Sequence, residues 1–156
     1  HMPVGFTKSM AERLDTTSPI HVKEAEEGDV LQKGTVYIAP GGKHMEVVKC
    51  AGGHKIALNE MPPIGGLRPC ANITYDSLRT SGYDEVVCVV LTGMGADGTN
   101  GILSLAKSKP VHVIAQNAQT CVVYGMPKAI AESGMVDEVV PLEDVAQTII
   151  KNVGVQ

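Results

Sequence analysis

Val89 to Gly101 reads VVLTGMGADGTNG, an apolar run that breaks into glycines around one carboxylate, Asp97. Two chemistries suit that arrangement. In the first, Asp97 orients a histidine in a nucleophile, histidine and carboxylate set, while the glycine bend offers backbone N–H groups to a developing oxyanion. In the second, Gly93-Met94-Gly95-Ala96-Asp97-Gly98 serves as the G-x-G-x-x-G fingerprint of a dinucleotide-binding domain. That reading is weakened by its own acid. A carboxylate in the phosphate turn repels pyrophosphate, and no Asp or Glu lies between Asp97 and Glu132 to hold a ribose hydroxyl. A turn without chemistry is the plain alternative, with Asp97 or Thr99 capping the helix that follows.

The elements around this turn must place it. Val86 to Leu91 is almost wholly apolar and β-branched, which predicts a strand buried on both faces of a parallel sheet. Asp97 then sits just beyond the carboxyl end of a central strand, where ligands and catalytic groups gather in open α/β sheets. A helix carrying Ile102, Leu105 and Ala106 leads past Pro110 to a second apolar strand, VHVIAQ, as a right-handed βαβ unit with parallel strands. Further on, GMPKAIAESG predicts a short helix with Pro127 early and Gly134 as its stop. VDEVVPL reads as a small strand, and the last helix runs from Leu142 to Val153 with Val145, Ile149 and Val153 at intervals of four.

Upstream of the turn, Pro3 and Gly5 precede a helix with Phe6, Met10 and Leu14 at helical spacing. Ile20 to Glu60 breaks into short strands and hairpins punctuated by glycines. There Met45 and Val47 alternate with Glu46, and Ile56 and Leu58 with Asn59, as in antiparallel strands with one wet face. His44 and His54 read as surface or turn histidines, because no further ligand stands at metal-binding spacing. MPPIGGLRP is a loop that borders a cleft, with Arg68 in a solvated contact, followed by a helix from Ala71 to Arg79. The fold class is α/β: a doubly wound, mainly parallel sheet flanked by helices, with an antiparallel hairpin excursion.

Composition narrows the partners. The length of 156 residues suits one domain. A net charge of −4 and a pI near 5.7, without runs of Lys or Arg, argue against nucleic acid and against membrane insertion. Cys50, Cys70, Cys88 and Cys121 stand far apart without metal spacing, so reduced thiols and a cytoplasmic setting are expected, with no metal.

Taken together, HMPVGFTKSMAERL, VKEAEEGDVLQKGTVYIAPGGKHMEV, VVLTGMGADGTNGI and AQNAQTCVVYGMPKAI resemble the catalytic domain of the chemotaxis response-regulator methylesterases, over nearly the whole chain. The resemblance implies a protein-glutamate methylesterase and protein-glutamine deamidase that acts on methyl-accepting chemotaxis receptors through a Ser-His-Asp triad, with no cofactor. It puts the triad histidine at His1, in H-M-P-x-G-F-T, and the aspartate at Asp97, in L-T-G-M-G-x-D-G. Met94 falls where the family has an oxyanion-hole N–H. Because Pro3, Gly5, Phe6 and Thr7 continue the family segment unbroken, His1-Met2 reads as native sequence rather than a cloning scar. The family's nucleophile stands upstream in a G-A-S-T-G-G segment, which is not found here. The seven serines present lie in helices or turns without a glycine elbow, and Cys121 has no adjacent base.

Residues 1–156 are therefore expected to be a methylesterase catalytic domain truncated at its N-terminus, inactive alone, without its serine segment and the receiver domain that normally precedes it. A non-catalytic receptor-binding module is the runner-up. Arg68-Pro69-Cys70-Ala71-Asn72 departs from the family's usual R-P-S-x-D, at the lining of the receptor cleft.

Overall fold

In the computed structural model, which describes residues 1–154, the chain divides into two compact units, His1–Gly82 and a second beginning at Tyr83. The first opens with helix α1 (Phe6–Thr17), packed on strand β1 (His21–Glu24). Its expected 6, 10, 14 stripe is not the buried face. Thr7 and Ala11 are buried, whereas Phe6 is 63% exposed and Leu14 is also exposed. Small side chains let the helix approach the strand closely, so close packing overrides the larger apolar spacing.

β1 pairs in parallel with β2 (Thr35–Ile38), with Val22 opposite Val36. This corrects the hairpin expected there. Between the strands the chain detours to β4: Gly28 and Leu31 donate to the carbonyls of Ile56 and His54 at 2.9 Å, and Ile56 donates back to Asp29 at 2.8 Å. The detour returns the chain to the start of β1, which sets a parallel register. β3 (His44–Cys50) and β4 (Gly53–Asn59) form the anticipated antiparallel hairpin. Met45 faces Leu58 and Val47 faces Ile56, and with Ala25, Leu31, Tyr37 and Leu78 they make this unit's core. α2 (Ala71–Ser77) runs into a 3-10 turn at Leu78–Thr80 and packs on β3, where Thr74 Oγ1 donates to the Met45 carbonyl at 2.6 Å.

His44 departs from the surface position expected of it. It is fully buried, with Nε2 3.2 Å from the Pro62 carbonyl and no hydrogen-bond partner for Nδ1 among the described residues. His54 also departs from a surface or turn position: it is half-buried on β4 opposite Lys49, with Nε2 accepting the Gly82 N–H at 2.8 Å.

The second unit is a parallel three-stranded sheet in the order β5 (Val86–Val90), β6 (Val111–Gln116), β7 (Glu138–Val140). Within this unit the central strand is β6, where Val113, Ile114, Ala115 and Gln116 are all buried. β5, predicted to hold that place, buries Cys88 and Val90 and leaves its other valines half-buried, because it has one ladder partner here. α3 (Thr99–Ala106) sends Ile102 and Leu105 into the core, and α4 (Met126–Glu132) adds Pro127 and Ile130. Each such buried aliphatic side chain contributes ~1.5–3 kcal/mol. α5 (Leu142–Val153) has the predicted bounds, but its buried face is Val145 and Thr148, and Val153 is exposed. Glu143 and Asp144 in its first turn and Lys151 in its last complement the helix dipole.

Candidate active site

β5 ends at Val90 and α3 begins at Thr99, so the intervening glycine turn occupies the carboxyl edge of the parallel sheet. Gly95 and Gly98 take φ of 85° and 96°, values that side chains bearing a Cβ resist. The side-chain cap expected from Asp97 or Thr99 is absent. Gly98 is the N-cap of α3, and Asp97 Oδ1 instead accepts the Gly98 N–H at 2.9 Å. That places a carboxylate only 6% exposed at the helix entrance.

The Gly93–Met94 peptide is held at one end. Its carbonyl oxygen accepts the N–H groups of Gly125 at 3.1 Å and Met126 at 2.8 Å, where α4 begins. The peptide is trans, so C=O and N–H point in opposite directions, and anchoring the Gly93 oxygen on α4 turns the Met94 N–H away from it. That N–H has no acceptor among the described residues. The Met94 side chain beside it is 83% exposed.

Two residues that sequence reasoning passed over secure this turn. Gln116 is buried at the end of β6, accepts the Thr92 N–H on Oε1 at 2.8 Å, and donates from Nε2 to the Thr120 carbonyl at 2.9 Å. A polar side chain closing the apolar run Val113–Ala115 was the available signal. Gly125 is the other: a Cβ there would stand 2.7 Å from Gly93 O and 3.0 Å from Gly95 N. Thr92 Oγ1 completes the support, donating to Val123 O at 3.1 Å and accepting from Val123 N at 2.9 Å.

His1 belongs to the first unit, where it is exposed and lines a cleft of about 400 Å³ with Ala39, Pro69, Cys70, Ala71, Thr74 and Tyr75. Arg68, which precedes this lining, donates Nη1 to the carbonyls of Glu60 at 3.1 Å and Met61 at 3.2 Å and so closes its own loop. The serine hydroxyls of Ser77, Ser81 and Ser133 donate to backbone carbonyls within their own helices or turns. Burial pushes the Cys88 thiol up to about 12, far from a thiolate at neutral pH. No cluster of three or more His, Cys, Asp or Glu that could hold a metal occurs among the described residues.

A parallel sheet flanked by helices, with a buried carboxylate in the glycine turn at its carboxyl edge, defines a class: α/β domains of the open-sheet kind. Comparison narrows the class. The CheB methylesterase family profile matches residues 1–149, and the chain belongs to that family. It is 46% identical over 154 residues to the protein-glutamate methylesterase/protein-glutamine glutaminase of Geobacillus kaustophilus, covering 99% of this chain and 44% of that protein. To the protein of the same name from Pyrococcus horikoshii it is 50% identical over 153 residues, covering 98% of this chain and 41% of that protein. The chain thus spans less than half the length of these relatives. The crystal structure of the Thermotoga maritima CheB methylesterase catalytic domain superposes with a TM-score of 0.90 at 41% identity, covering 97% of this chain and 79% of that one.

Proposed function

We propose that this chain carries the histidine, the carboxylate and one oxyanion donor of a cytoplasmic protein-glutamate methylesterase and glutamine deamidase. Its substrates are methylated glutamates of chemotaxis receptors, and its nucleophilic serine and a receiver domain lie upstream in the complete gene product. The observation that supports this best is the Gly93–Met94 peptide, anchored on α4 so that the Met94 N–H is open, three residues from the buried Asp97.

In this reading His1 takes the serine proton as the serine oxygen attacks the ester carbonyl, and the negative oxygen of the tetrahedral adduct accepts the Met94 N–H. As the adduct collapses, His1 protonates the departing methoxide, and methanol leaves an acyl-enzyme. Water, deprotonated by His1, attacks that ester in turn and releases the glutamate carboxylate and the serine. Asp97 holds the imidazole tautomer and balances the imidazolium. No step calls for a cofactor.

Methanol release from methylated receptor by the complete gene product tests the assignment. Asp97→Asn lowers kcat on the order of ten-thousandfold, His1→Ala does so comparably, and the 156-residue chain alone releases none. Rates unchanged in both variants would remove His1 and Asp97 from the chemistry.

A further inference from the structure

His1 leads through Met2 and Pro3 into α1. The Met2–Pro3 backbone rests on Gly41. A Cβ at Gly41 would lie 2.5 Å from Pro3 O, 2.6 Å from Pro3 C and 2.7 Å from Met2 O, about 1 Å inside ordinary contact. All three atoms are main chain, so no flexible side chain can yield. Pro3 O also accepts the Phe6 N–H at 3.2 Å, which joins the same segment to the start of α1.

Gly41 is itself pinned. Its N–H donates to Thr7 Oγ1 at 3.0 Å, and that hydroxyl donates onward to Glu24 Oε1 at 2.6 Å. Thr7 is buried although it lies on a helix whose phenylalanine faces solvent, so its hydroxyl is both donor and acceptor in a site closed to water. The next amide, Gly42 N–H, donates to the Arg68 carbonyl at 3.1 Å, immediately before Pro69 of the cleft wall. One short strap, Ala39 to Gly42, therefore touches the cleft lining, the His1 segment and α1, and is linked to β1 through the Thr7 hydroxyl.

We infer that Thr7 and Gly41 are positioning residues: Glu24 orients the Thr7 hydroxyl, the hydroxyl fixes the Gly41 strap, and the strap sets where the His1 imidazole stands. The catalytic sense of this inference rests on the reading of His1 as the general base. A base displaced by about 1 Å loses rate while ground-state binding is unaffected.

The test has two arms. In the complete gene product, Thr7→Val and Gly41→Ala lower kcat for methanol release on the order of ten- to a hundredfold with KM unchanged. Thr7→Ser, which keeps the hydroxyl, recovers most of the rate. In the 156-residue chain the His1 Cε1–H resonance, identified by its loss in His1→Ala, moves toward the random-coil position in Thr7→Val and stays in Thr7→Ser. An unmoved resonance and unchanged kcat in Thr7→Val and Gly41→Ala, with His1→Ala inactive, would overturn the inference alone. Full activity in His1→Ala would overturn the general-base reading and with it the catalytic sense of the strap, while the resonance still reports whether the strap holds the ring.

Discussion

At the scale of single residues, the geometry of the glycine turn rests on absences of side chain as much as on side chains. Gly125 is the clearest case, since its N–H and that of Met126 hold the Gly93 oxygen while its missing Cβ leaves room for the Gly93 and Gly95 backbone. Gly125→Ala is expected to rotate the Gly93–Met94 peptide and misdirect the Met94 N–H. Loss of one oxyanion donor typically costs about a hundred- to a thousandfold in kcat, so that is the expected loss in the complete gene product, with KM little changed. A wild-type rate in folded Gly125→Ala would mean that this peptide does not serve the transition state. The candidate residues Asp97, Met94 and His1 stood out in the sequence because each lies in a short, dense motif. Gly125, Gln116, Gly41 and Thr7 did not, because each acts through a partner 24 to 34 residues away or through a close approach that spacing along the chain does not encode.

At the scale of elements, what was legible followed the strength of periodicity. The bounds of α5 and the β3–β4 hairpin are as the pattern predicts, since alternation with turn glycines fixes a hairpin and four-residue spacing fixes a helix. The face that a helix buries was less legible. On α1 the small Thr7 and Ala11 meet β1 in place of Phe6 and Leu14, whereas on α5 Val145 is buried as its spacing suggests and is joined by Thr148, which donates to the Asp144 carbonyl at 2.8 Å. The parallel β1–β2 pair was missed because the detour that produces it is held by β4, a strand later in the chain.

The joint between α5 and its sheet makes a prediction of its own. Glu138 on β7 accepts from Asn152 Nδ2 on α5 at 2.8 Å and lies 2.8 Å from His112 Nε2 on β6, with Lys151 Nζ at 3.7 Å. Asp137 adds a second acid 3.9 Å from His112 Nδ1. The Asn152 hydrogen bond first, then that of His112, holds the Glu138 carboxyl below its ordinary value of 4.5. A depressed folded value stabilises the fold above the ordinary value and is lost as pH falls through the depressed one. The Tm gap between wild type and Glu138→Gln is therefore expected to be present at pH 7 and to shrink as pH drops from about 4.5 toward the bottom of the carboxylate range. A gap independent of pH would show that the charge of Glu138 does not hold this joint.

At the scale of the whole molecule, the question is which ligand the glycine edge of the sheet serves. The sequence alone left a dinucleotide domain open, because strand, G-x-G-x-x-G turn and helix occur in the right order. The geometry of the turn speaks against it. A pyrophosphate is held by the N–H groups at a helix N-terminus, and at α3 the Gly98 N–H is already taken by Asp97 Oδ1 at 2.9 Å. A buried carboxylate at that place repels the charge it would have to receive, and the chain's net charge of −4 offers no compensating field. A ligand present at a hundred times its dissociation constant stabilises a fold by ~2.7 kcal/mol, which raises Tm by several degrees in a chain of this size. Millimolar NAD is accordingly expected to leave the Tm of the 156-residue chain unchanged. A rise of several degrees that Asp97→Asn strengthened would reverse the assignment, since neutralising the acid would then be removing an obstacle to phosphate rather than a member of the triad.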